Sequence, residues 1–141
     1  MESEREHMSR RRKNKDEHQT TVLRITSQEM VALQEVPVVY ASLLLTTLPS
    51  SPWRETILDE LQKVERRMIA LLAQRGNSSE HLPFDVPLDE LYALHTALLG
   101  YLLLTQACPL LFEQAETKLL GAFSKKLVTF LEPHFPAIVL N

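Results

Sequence analysis

The stretch from Leu88 to Phe112, LDELYALHTALLGYLLLTQACPLLF, limits what this chain can become more than any other. No Asp, Glu, Lys or Arg occurs between Leu91 and Phe112. Placed on a helix, Leu88, Leu91, His95, Leu98 and Leu102 share one face, with Tyr92, Leu99 and Leu103 beside it. Leu94 and Tyr101 occupy the remainder. A helix that is apolar on nearly every side is either enclosed by other elements or lies in lipid. The run has the length of a membrane span. Against that reading, His95 and Gln106 fall inside it, Thr96 and Thr105 add polarity, Pro109 interrupts it, and no basic cluster flanks it. The expectation is the buried centre of a helical domain, with membrane association as the alternative. Ala93, Ala97 and Gly100 form a strip of small residues. A mid-helix glycine costs about 0.5–1 kcal/mol relative to alanine, so Gly100 predicts the close approach of another helix.

The flanking segments have helical periodicity that could enclose this centre. Ser51 reads as an N-cap, Pro52 as the first helical residue and Gly76 as the stop after Arg75. Between them Ile57, Leu61, Val64, Met68 and Leu71 form a seam, widened by Leu58, Ile69 and Leu72. Asp59–Lys63 and Gln62–Arg66 are surface pairs at four-residue spacing, and Arg66 with Arg67 reads as a solvated face. Toward the C-terminus, Pro109 starts a last helix over about 110–132, with Phe112, Ala115, Leu119, Phe123, Leu127 and Phe130 as its stripe. Leu120, Val128 and Leu131 run alongside, and Pro133 ends it. The apolar tail at 133–141 docks on the bundle or on a partner.

Upstream, TTVLRI at 20–25 is β-branched and alternates weakly, which allows a short strand. Thr26 and Glu29 have capping-box spacing ahead of a helix from Ser27 to about Val36. Pro37 ends or kinks that helix, and a second one, or a buried strand, follows to Leu48. The segment 76–87, GNSSEHLPFDVP, is rich in turn formers and reads as an exposed connection. Its His81 and Asp85 are two ligands without a third, too few for a metal site.

At 141 residues with three glycines, the chain fits one helical domain over 20–141. Residues 1–19 contain, beyond the initiator, Met8 as their one apolar residue, and so form a disordered charged arm. Charge is divided unevenly: the arm has six Lys/Arg against five Asp/Glu, the body nine against thirteen. A mildly acidic body is not the profile of a domain that coats nucleic acid. The fold class expected is therefore all-α, a bundle of four to five helices behind a basic arm.

Chemistry-bearing motifs are scarce. The three glycines are too dispersed for a phosphate-binding loop, and no HExxH or paired ExxH arrangement occurs on the expected helices. Cys108, the single cysteine, excludes an internal disulfide and sits where a buried, inert thiol is expected. No catalytic residue, cofactor or metal is assigned, and the chain reads as non-enzymatic. No apolar leader is visible at the N-terminus, so a cytoplasmic location is expected. The apolar load exceeds what one small bundle encloses, since Leu43–Leu45, Leu98–Leu104 and Ile138–Leu140 must share one interior. A homodimer interface or a groove for a partner helix is the natural outlet, which makes the chain an interaction module with a regulatory role.

Two further readings name residues. A basic arm, a short strand and a capped helix resemble the start of a ribbon-helix-helix repressor, which reads DNA with a ribbon contributed by two chains. Arg10, Arg11, Arg12, Lys13 and Lys15 would then contact phosphates, and Arg24 the groove. Alternatively, Tyr92, His95 and Tyr101 line a small-ligand pocket inside the bundle.

Overall fold

The computed structural model describes residues 20–75 and 81–133 and shows a mostly helical chain with one small two-stranded sheet. The arm, Gly76 and the tail beyond Pro133, with the expectations placed on them, lie outside the described residues. In order, the elements are β1 (Thr20–Ile25), α1 (Ser27–Leu33), α2 (Glu35–Thr47), α3 (Pro52–Arg75), β2 (Leu82–Pro87), α4 (Leu88–Ala107), a 3-10 turn (Pro109–Leu111) and α5 (Gln114–Leu131). α4 is the common neighbour, packed by α2, α3 and α5.

The strand expected at 20–25 forms, and its partner comes from the segment read as an exposed connection. β1 and β2 pair antiparallel with Leu23 opposite Phe84, Ile25 opposite Leu82 and Thr21 opposite Val86. Strand side chains alternate between faces. Leu23, Ile25, Leu82, Phe84 and Val86 are therefore buried, while Val22, Arg24, Pro83 and Asp85 face out. Pro83 and Pro87 have no N–H to donate, so their pairs with Arg24 and Thr20 occupy the non-hydrogen-bonded positions of the ladder. Arg24 at such a position directs its carbonyl toward the open edge of β1, and there the Lys126 ammonium of α5 donates to it. Lys126 also approaches Glu29 at 4.0 Å and lies 5.5 Å from the Phe123 ring centre. One lysine thus ties the free strand edge to α1 and α5.

α1 begins as its sequence implies. The Glu29 N–H donates to Thr26 Oγ1 at 3.1 Å, and the Thr26 N–H donates to Glu29 Oε1 at 2.9 Å. Pro37 falls in the first turn of α2, where its missing N–H has no helical acceptor to lose. The break comes earlier than expected, at Gln34, whose backbone remains near-helical (φ −62°, ψ −31°). α1 and α2 therefore form one kinked rod. α3 starts at Pro52 with the Arg54 N–H donating to Ser51 Oγ, and it buries Ile57, Leu61, Val64 and Met68. Ile69 is exposed and does not widen that stripe.

At its C-terminus α4 stops at Ala107, and Pro109 opens a 3-10 turn instead of the last helix. α5 starts only at Gln114 and buries Leu120, Phe123, Ser124, Leu127 and Leu131. Phe123 and Leu127 of the expected stripe are thus buried, together with Leu120 and Leu131 from alongside it, while Leu119 and Phe130 are half-buried and Ala115 is exposed. Gly100 does mark a close approach, although the intruding group is a ring rather than a helix backbone. A Cβ at this position would lie 2.5 Å from Tyr40 Cε1 and 2.8 Å from Cδ1.

Candidate interaction surface

α4 is held on its inner side by polar contacts as well as by packing. Glu90 is 3% exposed, and its two carboxylate oxygens accept from Arg67 Nε at 2.6 Å and Arg67 Nη2 at 3.1 Å. Arg67 lies on an exposed helix face, as expected, and from there its guanidinium compensates a carboxylate that the fold has removed from water. The contact with Glu90 raises the Arg67 pKa above its ordinary value. Tyr101, also buried, donates its hydroxyl to Glu35 Oε2 at 3.4 Å and meets the Phe112 ring edge-on at 5.2 Å. Burial and the nearby Glu35 carboxylate push its pKa up to about 12. His95 is buried, its Nε2 has no hydrogen-bond partner, and burial lowers its pKa.

The other side of α4 has no covering element among the described residues. Tyr92, Thr96, Leu99 and Leu103 follow one another at helical spacing, and Leu99 and Leu103 are 45% and 66% exposed. Thr96 donates its hydroxyl to the Tyr92 carbonyl, a bond made within the helix itself. The 3-10 turn that follows adds Leu110 and Leu111, 99% and 78% exposed. This stretch contributes no charged side chain of its own, because none exists between Leu91 and Phe112. Large exposed apolar side chains gathered in one short stretch mark interaction sites in soluble proteins. Cys108, expected buried, is half-buried beside the turn.

The residues named for a ligand pocket are dispersed by this geometry. Tyr92 belongs to the exposed face, whereas His95 and Tyr101 are enclosed. They line neither the groove between α2 and α3 nor the depression between the end of α4 and the start of α5. Arg24 is exposed on the outer face of the ribbon, but β1 pairs within its own chain, and the outer face also presents Asp85 opposite Val22. β1 thus takes its partner strand from its own chain, and a carboxylate on this face opposes phosphate. The remaining candidates, Arg10, Arg11, Arg12, Lys13 and Lys15, lie outside the described residues. Among the described residues no group of three His, Cys, Asp or Glu is placed to hold a metal.

Among these residues the helix long and apolar enough to cross a membrane is the kinked rod Ser27–Thr47, with mean hydropathy 1.4 and a third of its apolar window buried. The core helix of a soluble protein passes the same test. Comparisons with protein-family models, with curated proteins and with solved structures return no match to this chain.

Proposed function

We propose that this chain is a non-enzymatic helical interaction module, a bundle gathered around α4 that self-associates through the uncovered leucine face. The observation that supports this reading is the exposure of Leu99, Leu103, Leu110 and Leu111 within one charge-free stretch of sequence. Isolating such a face in water is unfavourable by about 25 cal/mol per Å² of apolar area. A two-fold pairing of α4 with its copy would cover the same patch on both subunits. A stable interface needs about 800 Å² per partner, so the half-exposed Tyr92 and neighbouring Thr96 would be drawn in with the leucines.

Light-scattering mass after size exclusion, without detergent, tests the proposal. The wild-type chain should elute as a dimer, and Leu103→Lys with Leu110→Ser should give a folded monomer with unchanged circular dichroism. A wild-type monomer at about 100 μM, far above the Kd of most stable dimers, would remove the reading. The apolar rod Ser27–Thr47 supports a second one, association with a membrane surface. Co-flotation of the wild-type protein with lipid vesicles, lost on Leu45→Glu, would favour it over the dimer.

A further inference from the structure

A second exposed apolar surface lies on α2, where it borders α3. Val38, Ala41 and Leu45 recur at helical spacing along α2, and Val38 and Leu45 are 56% and 57% exposed. With Leu58 and Leu61 of α3 they floor a groove of about 540 Å³. One wall of that groove is ionic. Glu55, Asp59 and Glu65 of α3 line it, with no Lys or Arg among its lining residues. The Glu55 and Asp59 carboxylates are each bridged by a cation of their own helix, Arg54 at 3.1 Å and Lys63 at 3.0 Å. Glu65, half-buried, has no cation within salt-bridge reach among the described residues. α2 cannot supply one, because the sequence has no Lys or Arg between Arg24 and Arg54.

We propose that this groove is a docking site for an amphipathic helix of another protein, one with an apolar face bordered along one edge by Lys or Arg. Dimensions and charge carry the choice. Val38 to Leu45 and Glu55 to Glu65 extend about 10 and 15 Å at 1.5 Å per residue, two to three turns of a guest helix. Anchors at i, i+3 or i+4, and i+7 on the guest meet the leucine and valine floor. Its basic edge meets Glu65 and competes for Asp59, which also sets its orientation.

A second copy of this chain fits less well. The α4 leucine face lies in a stretch, 76–117, that contains no Lys or Arg at all, so it brings no cation to Glu65. α5 has Lys118 and Lys125 exposed, but the apolar stripe it would insert is already buried in its own chain. The basic cluster of residues 10–15 has cations but only Met8 nearby as an apolar anchor, too little to cover the floor. Phosphate-bearing partners are disfavoured by the sign of the wall. The site is thus heterotypic and separate from the proposed α4 contact, so either surface can fail its test without the other.

The test uses the full chain and two labelled helical peptides with leucines at i, i+3 and i+7, one edged with lysine and arginine, the other with glutamate at the same positions. Fluorescence anisotropy should show the basic peptide binding with micromolar affinity and the acidic peptide at least about tenfold weaker. Glu65→Lys, on the wall, should weaken the basic peptide about fivefold and strengthen the acidic one. Leu45→Asp, at an exposed floor position that leaves the core intact, should weaken both about tenfold or more. Equal binding of the two peptides, or indifference to Glu65→Lys and Leu45→Asp, overturns the proposal. So does saturation of the groove by a peptide of residues 1–19 with the same two sensitivities, which would assign it to the chain's own arm. Self-association abolished by Leu45→Asp but untouched by Leu103→Lys would overturn it in favour of a second copy.

Discussion

Gly100→Ala sets two opposing effects against each other at one site, and the structure says which prevails. Alanine is favoured over glycine inside a helix by about 0.5–1 kcal/mol, because the unfolded glycine has more conformational freedom to lose. In this fold the added Cβ meets Tyr40 Cε1 at 2.5 Å and Cδ1 at 2.8 Å. Carbon–carbon contacts are optimal at roughly 3.5–4.0 Å, so the ring must retreat by about 1 Å. Tyr40 is half-buried and packed against the core, and a rigid ring has no flexible end to yield. Overpacking of this degree costs about 1–3 kcal/mol. The net expectation is a loss of about 0.5–2 kcal/mol. The sign should reverse once the ring is absent: in a Tyr40→Ala background, Gly100→Ala should stabilise by about 0.5–1 kcal/mol. Urea unfolding of the four proteins, followed by far-ultraviolet circular dichroism at one concentration, measures both legs of the cycle. A coupling energy of about 1–3 kcal/mol is expected. Destabilisation by the same amount in both backgrounds would refute the reasoning, because the cost would then have nothing to do with Tyr40.

Arg67→Met leaves the Glu90 carboxylate enclosed without its cation and should cost about 2–4 kcal/mol, tempered because the Arg67 side chain is 46% exposed. Arg67→Met combined with Glu90→Leu, assayed by the same urea titration, should recover much of that loss. For His95, burial lowers the folded pKa below the ordinary value, so the unfolded chain takes up the proton first as pH falls. Its contribution to stability is therefore complete above about pH 6.5 and declines below it. His95→Leu should flatten the thermal-melt profile between about pH 6.5 and 5, and an unchanged slope would show that other groups govern it. Thr26→Ala removes the acceptor of the Glu29 N–H and should cost about 1 kcal/mol by thermal melting.

Local signals were legible where their cause is local. The capping box at Thr26 and Glu29, the Ser51–Pro52 start of α3 and the Ile57–Met68 seam were readable because each depends on neighbours within a turn or two. β2 was not, since Pro83 and Pro87 argue against a strand until β1 is seen opposite them. Both prolines then sit where no N–H is required, and Leu82, Phe84 and Val86 become the alternating inner face of a ribbon. The ion pair between Arg67 and Glu90, 23 residues apart in sequence, left no trace in helical spacing either. It joins two helices, and each residue alone resembles an ordinary solvated charge.

The sequence by itself determined that this chain would build helices around the charge-free run from Leu91 to Phe112, because no arrangement leaves so much leucine in water on every side. Which side stays uncovered was a tertiary decision. α2, α3 and α5 can each contact only one sector of α4, and their contacts leave Leu99 and Leu103 outside while enclosing Leu94 and Leu98. Leucines look alike along a helix, and only the directions of the packed neighbours separate the core from the surface left for a partner.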